Sequence, residues 1–293
     1  MDPATRARWS AALADRAREY WTPARTRELT GGKDLALLPA DAPHLLRALG
    51  LLDGDARMPP QRVRKYLQIN HVARDLRPAL DALRARHASV RLLDAGCGRS
   101  YLTLLLAYLS RGELSIVGID RNAAVIDECR RRAALAGLSD SVSFLASPLE
   151  SFDASGFHGI FALHACDTAT CDAIALGVAA GADLIAVAPC CQAELARAWS
   201  ALAAQDAASP FSAVWSMPHL RRETAAHLTD VMRVLLLRAR GYTTVSTEFI
   251  ASDHTPKNTL IRALRGAIDP TARAAYDALV AATGAGLALA SRL

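Results

Sequence analysis

The sequence predicts an α/β protein with a seven-stranded sheet and a helical N-terminal extension. Between residues 89 and 265, short apolar runs alternate with helical stretches, as expected of βαβ units in a parallel sheet. The last two runs, 243–250 and 258–264, are joined only by residues 251–257. A connection this short allows antiparallel pairing and excludes a parallel crossover. The sheet is therefore expected to end in an antiparallel hairpin.

Five further apolar runs predict the parallel strands. Each run is apolar nearly throughout, which is typical of strands covered by helices on both faces. Helical patterns at 101–109, 123–136, 170–178 and 193–204 separate or follow them. The predicted parallel strands are 90–94, 115–120, 142–146, 159–164 and 183–188.

The chain before the sheet is predicted to be helical. Apolar residues recur at spacings of three and four from Val63 to Leu83, as a buried helix face requires. Pro78 is expected to kink or restart this helix. We divide the chain into a helical extension that helps to bind the acceptor (1–88), a catalytic domain (89–265), and a closing helix with a tail (266–293).

Composition excludes several classes of protein. Hydrophobic residues make up 52% of the 293 residues and charged residues 22%, as in globular proteins. The longest predominantly apolar run, 102–109, is too short to span a bilayer, and the first residues show no apolar signal segment. Six cysteines without a CxxC pair predict neither a disulfide framework nor a zinc ribbon. We expect a cytoplasmic protein with no membrane partner and no metal in its site.

A glycine-containing turn follows the first strand. It reads Asp94-Ala95-Gly96-Cys97-Gly98, and its glycines let the backbone approach a ligand without Cβ interference. The diphosphate-binding pattern GxGxxG would need glycine where Tyr101 stands. Asp94 would repel a pyrophosphate but attract an ammonium group. S-adenosylmethionine carries both an ammonium and a sulfonium, so the turn suits that cofactor.

The tips of the second and third strands extend this candidate site. Asp120 ends the second strand, where an acid can accept hydrogen bonds from both ribose hydroxyls. The alternative is an ordinary aspartate in a strand-end turn. Arg121 follows it as a further cofactor contact, Ser147 is expected beside the adenine, and His164 at the fourth strand also faces the cofactor.

These residues resemble the class I S-adenosylmethionine-dependent methyltransferases over 89–265. The segments LHACDTAT (163–170), APCCQ (188–192) and TPKNTLIRA (255–263) resemble one subfamily, whose relatives include a tRNA ribose 2′-O-methyltransferase. The chain departs from that relative at Asp167, where a glycine is expected, and at Gln192, where a histidine is expected. The resemblance therefore implies the fold and the cofactor rather than that particular ribose reaction.

The tips of the fourth and fifth strands are predicted to hold the methyl acceptor. Ligands of open parallel sheets bind beyond the carboxyl ends of the strands. In one chemistry, His164 or Asp167 acts as base or orienting group. In a second, Cys190 or Cys191 attacks a pyrimidine ring; in a third, these cysteines bind zinc with His164 and Cys166. A last alternative is that the cysteines only pack the sheet. The candidate catalytic residues are His164, Asp167, Cys190, Cys191 and Gln192.

The acceptor class is predicted from charge. Residues 57–91 hold nine basic and two acidic residues, a net charge of +7 in a chain of +5. A local basic stretch suggests an anionic partner, and we expect RNA. Aromatic residues within 210–219 could stack on a nucleotide or form a lid. A small-molecule acceptor is the alternative, and a cofactor-binding protein without catalysis is a further one.

Overall fold

The computed structural model describes residues 3–163, 167–189, 192–205, 207–248 and 259–293, with side chains from residue 11. The strands are β1 (Val90–Ala95), β2 (Leu114–Asp120), β3 (Val142–Ala146), β4 (Gly159–Ala162), β5 (Leu184–Val187), β6 (Tyr242–Glu248) and β7 (Thr259–Arg265). The helices are α1 (Pro3–Tyr20), α2 (Pro23–Thr30), α3 (Pro43–Ala48), α4 (Pro60–Arg86), α5 (Tyr101–Ser110), α6 (Ala123–Ala136), α7 (Thr168–Ala179), α8 (Glu194–Ala204), α9 (Ser212–Ser216), α10 (Pro218–Ala239), α11 (Ala272–Thr283) and α12 (Leu289–Arg292).

The sheet has the strand order β3-β2-β1-β4-β5-β7-β6. Strands β1 to β5 pair in parallel, β7 is antiparallel to β5, and β6 is antiparallel to β7. This is the class I methyltransferase sheet, so the predicted fold class and the predicted hairpin are confirmed. The order reverses at β1 and β4, and the carboxyl ends of these strands open the crevice in which such sheets bind ligands.

Helices cover both faces of the sheet. Helices α3 to α6 pack with one face of the sheet, and α7, α8 and α10 to α12 pack with the other. Alternation along each strand divides the side chains, so that Leu92 faces the first layer and Leu93 the second. In β2, Gly118 is required by packing, because a Cβ there would lie 2.6 Å from the ring of Phe144.

The helices of the structure differ from the sequence analysis at two places. Helix α4 runs without a break through Pro78, so it does not restart there. A proline removes helical hydrogen bonding from the preceding turn, and Arg262 of β7 donates a hydrogen bond to one carbonyl of that turn, that of Asp75. The 22-residue helix α10 was not predicted at all.

The N-terminal helices share the core of the sheet domain. Leu45 and Leu46 of α3 are fully buried in the same cluster as Leu104 of α5. The indole of Trp21 donates a hydrogen bond to the carbonyl of Ala56 at 2.7 Å, which ties the end of α1 to the chain before α4. Among the helices that the structure describes, none has the length and hydropathy of a membrane span. The boundary between extension and catalytic domain stays a prediction.

Candidate active site

The turn after β1 has the backbone shape that its glycines predict. Gly96 and Gly98 have φ values of 79° and 51°, in the region that favours glycine. The amides of Gly96 and Cys97 both donate to the carbonyl oxygen of Ile119, at 2.9 and 2.8 Å. These bonds fix the turn against β2, so that its backbone borders the crevice before α5 begins at Tyr101.

Asp120 borders the crevice at the end of β2. Its carboxylate accepts hydrogen bonds from the amide of Gly98 at 3.2 Å and from the amide of Asn122 at 2.9 Å. The Asn122 side chain in turn caps α6 by accepting from the amide of Ala124 at 3.0 Å. The glycine turn, Asp120 and the start of α6 therefore form one hydrogen-bonded unit, and the half-buried carboxylate keeps a side open to the crevice.

The crevice contains a cavity of about 680 Å³, which lies within the range of small-molecule and cofactor sites. Five of the predicted cofactor contacts border it, namely Gly96, Gly98, Asp120, Arg121 and Ser147. Three carboxylates border it against one guanidinium. This excess of negative charge suits a cationic ligand.

Two of these carboxylates were missed by the sequence reasoning. Glu150 lies just after Ser147 beyond β3, and Asp172 lies on the first turns of α7. Arg292 donates a hydrogen bond to Asp172, and burial raises the pKa of Asp172 although this arginine opposes the rise. The position of Glu150, three residues after Ser147 at the same strand tip, was a usable signal. Nothing in the sequence marks Asp172.

Asp94 lies beneath the turn and does not border the cavity. Its side chain is 4% exposed and accepts a hydrogen bond from the hydroxyl of Thr103 on α5. Burial raises the pKa of Asp94 to about 7; the hydrogen bond from Thr103 opposes this rise, whereas the nearby Asp120 carboxylate adds to it. Its predicted contact with an ammonium group stays a prediction.

Asp167 is engaged with α8. Its carboxylate accepts from the amides of Ala193 at 2.9 Å and Glu194 at 3.1 Å, and Arg197 donates to it at 2.7 Å. Burial favours the neutral form of Asp167, but these donors outweigh it and hold the pKa below its usual value. The residue has φ 54° and ψ −116°, a backbone conformation that is costly outside glycine. This geometry gives Asp167 a capping contact; its role as a base stays a prediction.

Gln192 is 7% exposed and donates from Nε2 to both carboxylate oxygens of Asp230, at 3.0 and 2.9 Å. The other candidates of the acceptor side, His164, Cys166, Cys190 and Cys191, lie outside the described residues, as does the segment 255–258. Within the described parts of the chain, no three His, Cys, Asp or Glu side chains group as metal ligands would.

The aromatic residues of the 210–219 insertion pack against other parts of the chain. Trp215 is 1% exposed and belongs to the core, and Phe211 packs against Trp199 with ring centroids 5.7 Å apart. Burial therefore excludes the stacking alternative for Trp215, whereas for the half-buried Phe211 both stacking and a lid stay predictions. Their apolar area is used to pack α9 and α10 against α8 instead.

Comparison with known proteins agrees with this description of the chain. A family model described as a methyltransferase domain matches residues 64–198, a little under half of the chain. This match begins within α4 and ends within α8, so it includes the glycine turn, Asp120 and both acceptor-side strand tips. No curated protein sequence matches the chain.

Solved structures show only distant similarity. A magnesium protoporphyrin IX methyltransferase from Synechocystis is 13% identical, with a TM-score of 0.44; the match covers 76% of this chain and 90% of that one. An rRNA methylase from Streptococcus thermophilus is also 13% identical, with a TM-score of 0.40; the match covers 61% of this chain and 87% of that one. Similarity at this level distinguishes neither an acceptor nor a reaction.

Proposed function

We propose that this protein is an S-adenosylmethionine-dependent methyltransferase that acts on RNA. The observation that carries the cofactor assignment is the cavity at the carboxyl ends of β1 and β2, with Asp120 and the glycine turn on its border. The cofactor supplies an activated methyl group on a cationic sulfonium. The excess of carboxylates around the cavity is complementary to that charge.

Four of the predicted contacts that border the cavity would each hold part of the cofactor. Asp120 is placed to accept hydrogen bonds from ribose hydroxyls while the amides of Gly98 and Asn122 keep its carboxylate in place. Gly96 and Gly98 leave room for the methionine portion along the turn. Ser147 also borders the cavity, and an adenine would be held beside it. Methyl transfer needs mainly correct positioning of the two reactants, because the sulfonium is already a good leaving group.

The RNA assignment rests on the arginines of α4. Among the basic residues of α4, Arg62, Arg64 and Arg77 make no ion pair or side-chain hydrogen bond with any described residue. Arg74 and Arg84 are engaged, by the carbonyl of Asp34 and by the carboxylates of Asp81 and Glu113 respectively. Arg62 and Arg77 lie about 60° apart around the helix axis, whereas Arg64 lies on the other side, so Arg62 and Arg77 are the best candidates for phosphate contacts on one face.

The placement of α4 favours a large acceptor. Its first turns lie beside the glycine turn, where the Lys65 ammonium is 5.6 Å from the ring centroid of Tyr101. Its last turns lie at the amino edge of the sheet, where Arg84 contacts Glu113 before β2. At 1.5 Å per residue, Arg62 and Arg77 are separated by roughly 23 Å along the helix axis. An RNA can contact this length while one nucleotide occupies the crevice, and a small molecule cannot.

The experiment combines methyl transfer with RNA binding. Labelled S-adenosylmethionine is incubated with the protein and either total RNA or a small-metabolite extract of the source organism, and we expect label in the RNA. Label confined to the metabolites would favour the small-molecule alternative. Cofactor binding without label in either fraction would favour the non-catalytic alternative.

RNA binding should depend on salt through Arg62 and Arg77. Each phosphate contact on a single strand contributes roughly 0.7 to the slope of log affinity against log salt. Arg62→Gln/Arg77→Gln should lower the slope by about 1.4 and leave cofactor affinity unchanged. The matched control is Arg64→Gln/Arg86→Gln, which removes the same charge from the opposite side of α4 at about 100° per residue. Identical slopes for the two double variants would contradict the proposed surface.

The reaction at the acceptor atom stays a prediction, as does the cytoplasmic location. If transfer is not covalent, Cys190→Ser and Cys191→Ser should each retain measurable turnover. Loss of turnover in a folded variant, with an adduct trapped on a 5-fluoropyrimidine RNA, would support the covalent route instead.

A further inference from the structure

A hydrogen-bonded chain joins the tips of β4 and β5 through α10. Gln192, beyond β5, donates to Asp230 of α10. Arg233, one turn later, donates from Nη1 to Asp230 Oδ1 at 3.1 Å and from Nη2 to the carbonyl oxygen of Asp167 at 2.9 Å. Arg233 is fully buried. Helix α10 therefore holds the two loops that border the acceptor side in a fixed relation.

Asp230 fixes which way the Gln192 amide points. Among the described residues, Asp230 accepts side-chain hydrogen bonds from Gln192 and Arg233. An ionised carboxylate can only accept hydrogen bonds. Burial raises the pKa of Asp230, and the Arg233 guanidinium and the Gln192 amide oppose the rise. The NH₂ group of Gln192 must face Asp230, so its carbonyl oxygen faces away. That oxygen, Oε1, is buried and has no hydrogen-bond partner among the residues that the structure describes.

An unpartnered buried oxygen is costly. Leaving one without a partner costs about 1–3 kcal/mol, so native proteins rarely retain such groups without a use. Gln192 borders a cleft of about 10 Å³, roughly the space of one water molecule. This cleft can admit a single polar group rather than a ring. The other residues around it are Pro189, Glu223, Ala226, His227, Asp230 and Thr259.

We propose that Oε1 of Gln192 accepts a hydrogen bond from an N–H or O–H group of the methyl acceptor, and that Asp230 is a positioning residue that presents this oxygen. The inference rests on the proposed methyltransferase function and narrows its substrates to acceptors that carry a hydrogen-bond donor beside the methylated atom. The cleft lies at the carboxyl end of β5 and the start of β7, on the same edge of the sheet as the cofactor cavity.

The substitution Asp230→Asn reverses the polarity at the cleft. Arg233 keeps an oxygen of residue 230 at the Oδ1 position, so the asparagine NH₂ takes the Oδ2 position, 2.9 Å from Gln192 Nε2. Two donors then face each other. Gln192 relieves this contact by turning its amide, which places NH₂ where Oε1 had been.

The test measures methyl transfer by Gln192→Met, Asp230→Asn and the double variant, on whichever fraction, total RNA or metabolite extract, the wild type labels. Each single variant should lower kcat/KM for the acceptor about tenfold, with the cofactor Kd unchanged, since tenfold corresponds to about 1.4 kcal/mol. The double variant should match Gln192→Met, because methionine has no amide to orient. Asp183→Asn, at the amino end of β5, is the control and should leave transfer unchanged.

If the double variant had a lower kcat/KM than Gln192→Met, Asp230 would act structurally, and its positioning role would be overturned. Single variants within twofold of wild type would overturn the whole inference. Exchange of the Gln192 side-chain amide protons, followed by NMR, does not depend on turnover. Those protons should exchange slowly in the wild type and quickly in Asp230→Asn. If the wild type labels neither fraction, the proposed function fails. Equal amide exchange rates in the wild type and in Asp230→Asn would overturn the role of Asp230, whatever the result for methyl transfer.

Discussion

At the scale of single residues, Asp94 shows how burial changes the ionisation of an acidic side chain. The sequence places it at the end of the first strand, where an exposed acid would attract an ammonium group. In the folded protein it is enclosed beneath the glycine turn, and its pKa is raised to about 7. Near neutral pH it is partly protonated, so a bound cation would have to draw it into the charged form.

We expect Asp94→Asn to become more stabilising as pH rises. The folded pKa lies above the unfolded value of about 3.9. Below about pH 4, Asp94 is protonated in both states and does not lower the free energy of unfolding. Between about pH 4 and pH 7 the unfolded state loses this proton more readily, so the free energy of unfolding of the wild type falls. The free energy of unfolding of the variant relative to wild type should rise by up to about 4 kcal/mol between pH 4 and pH 8. Urea denaturation at both pH values measures this change.

The control is Asp153→Asn. Hydrogen bonds from Ser155 hold the pKa of Asp153 below its usual value, so this variant should change in the opposite direction. A relative stability of Asp94→Asn that is constant with pH would show that Asp94 ionises normally in the folded protein.

The cofactor side of the site could largely be predicted from single residues, for a physical reason. Strand ends are visible as the end of an apolar run, and the topology brings the ends of β1, β2 and β3 to one edge. Gly96, Asp120 and Ser147 therefore lie at the cavity as expected. The depth of Asp94 could not be predicted, because it depends on Thr103 of α5 packing onto the strand.

At the scale of elements, Asp167 connects the loop after β4 to the first turn of α8. We expect Asp167→Asn to lower the free energy of unfolding by about 1–2 kcal/mol at pH 7, since it weakens a helix cap and removes the contact with Arg197. The folded pKa is lowered, so this stabilisation is present above about pH 4 and is lost as pH falls through the folded pKa.

Arg197→Gln serves as the control, because it removes only an exposed ion pair and should cost less than about 1 kcal/mol. Methyl transfer by Asp167→Asn separates capping from catalysis. A variant with wild-type stability and no detectable transfer would identify Asp167 as the base and contradict the capping role.

Elements with local sequence signals could be predicted, whereas contacts between distant parts of the chain could not. The hairpin of β6 and β7 follows from chain length and apolar runs, which are local. Helix α10 had a local signal that was not used, namely Pro218 at its first turn and buried residues spaced along one face, such as Ala225, Thr229 and Met232. The hydrogen bonds of Asp230 with Gln192 and of Arg233 with Asp167 have no local signal, since these partners lie tens of residues apart in the sequence.

At the scale of the whole molecule, the N-terminal extension and the sheet share one hydrophobic layer. Helix α3 contacts α5 and α6, and α1 contacts α3. His44 of α3 also packs edge-on against Tyr108 of α5, with ring centroids 5.6 Å apart. Because the extension covers one face of the sheet, we expect it to fold with the sheet as one cooperative unit rather than as an appended module.

The substitution Leu46→Ala tests this cooperativity. Leu46 is fully buried between the extension and the sheet domain, so its truncation should cost about 2–5 kcal/mol. In pulsed hydrogen exchange across a urea titration, peptides from 43–52 and from 90–110 should unfold at one shared midpoint, which moves to lower urea in the variant. Leu220→Ala, at a residue 48% exposed on α10, should leave the midpoint nearly unchanged. If only the 43–52 peptides lost protection, the extension would be an independent unit, and its removal should then leave the sheet domain folded and able to bind the cofactor.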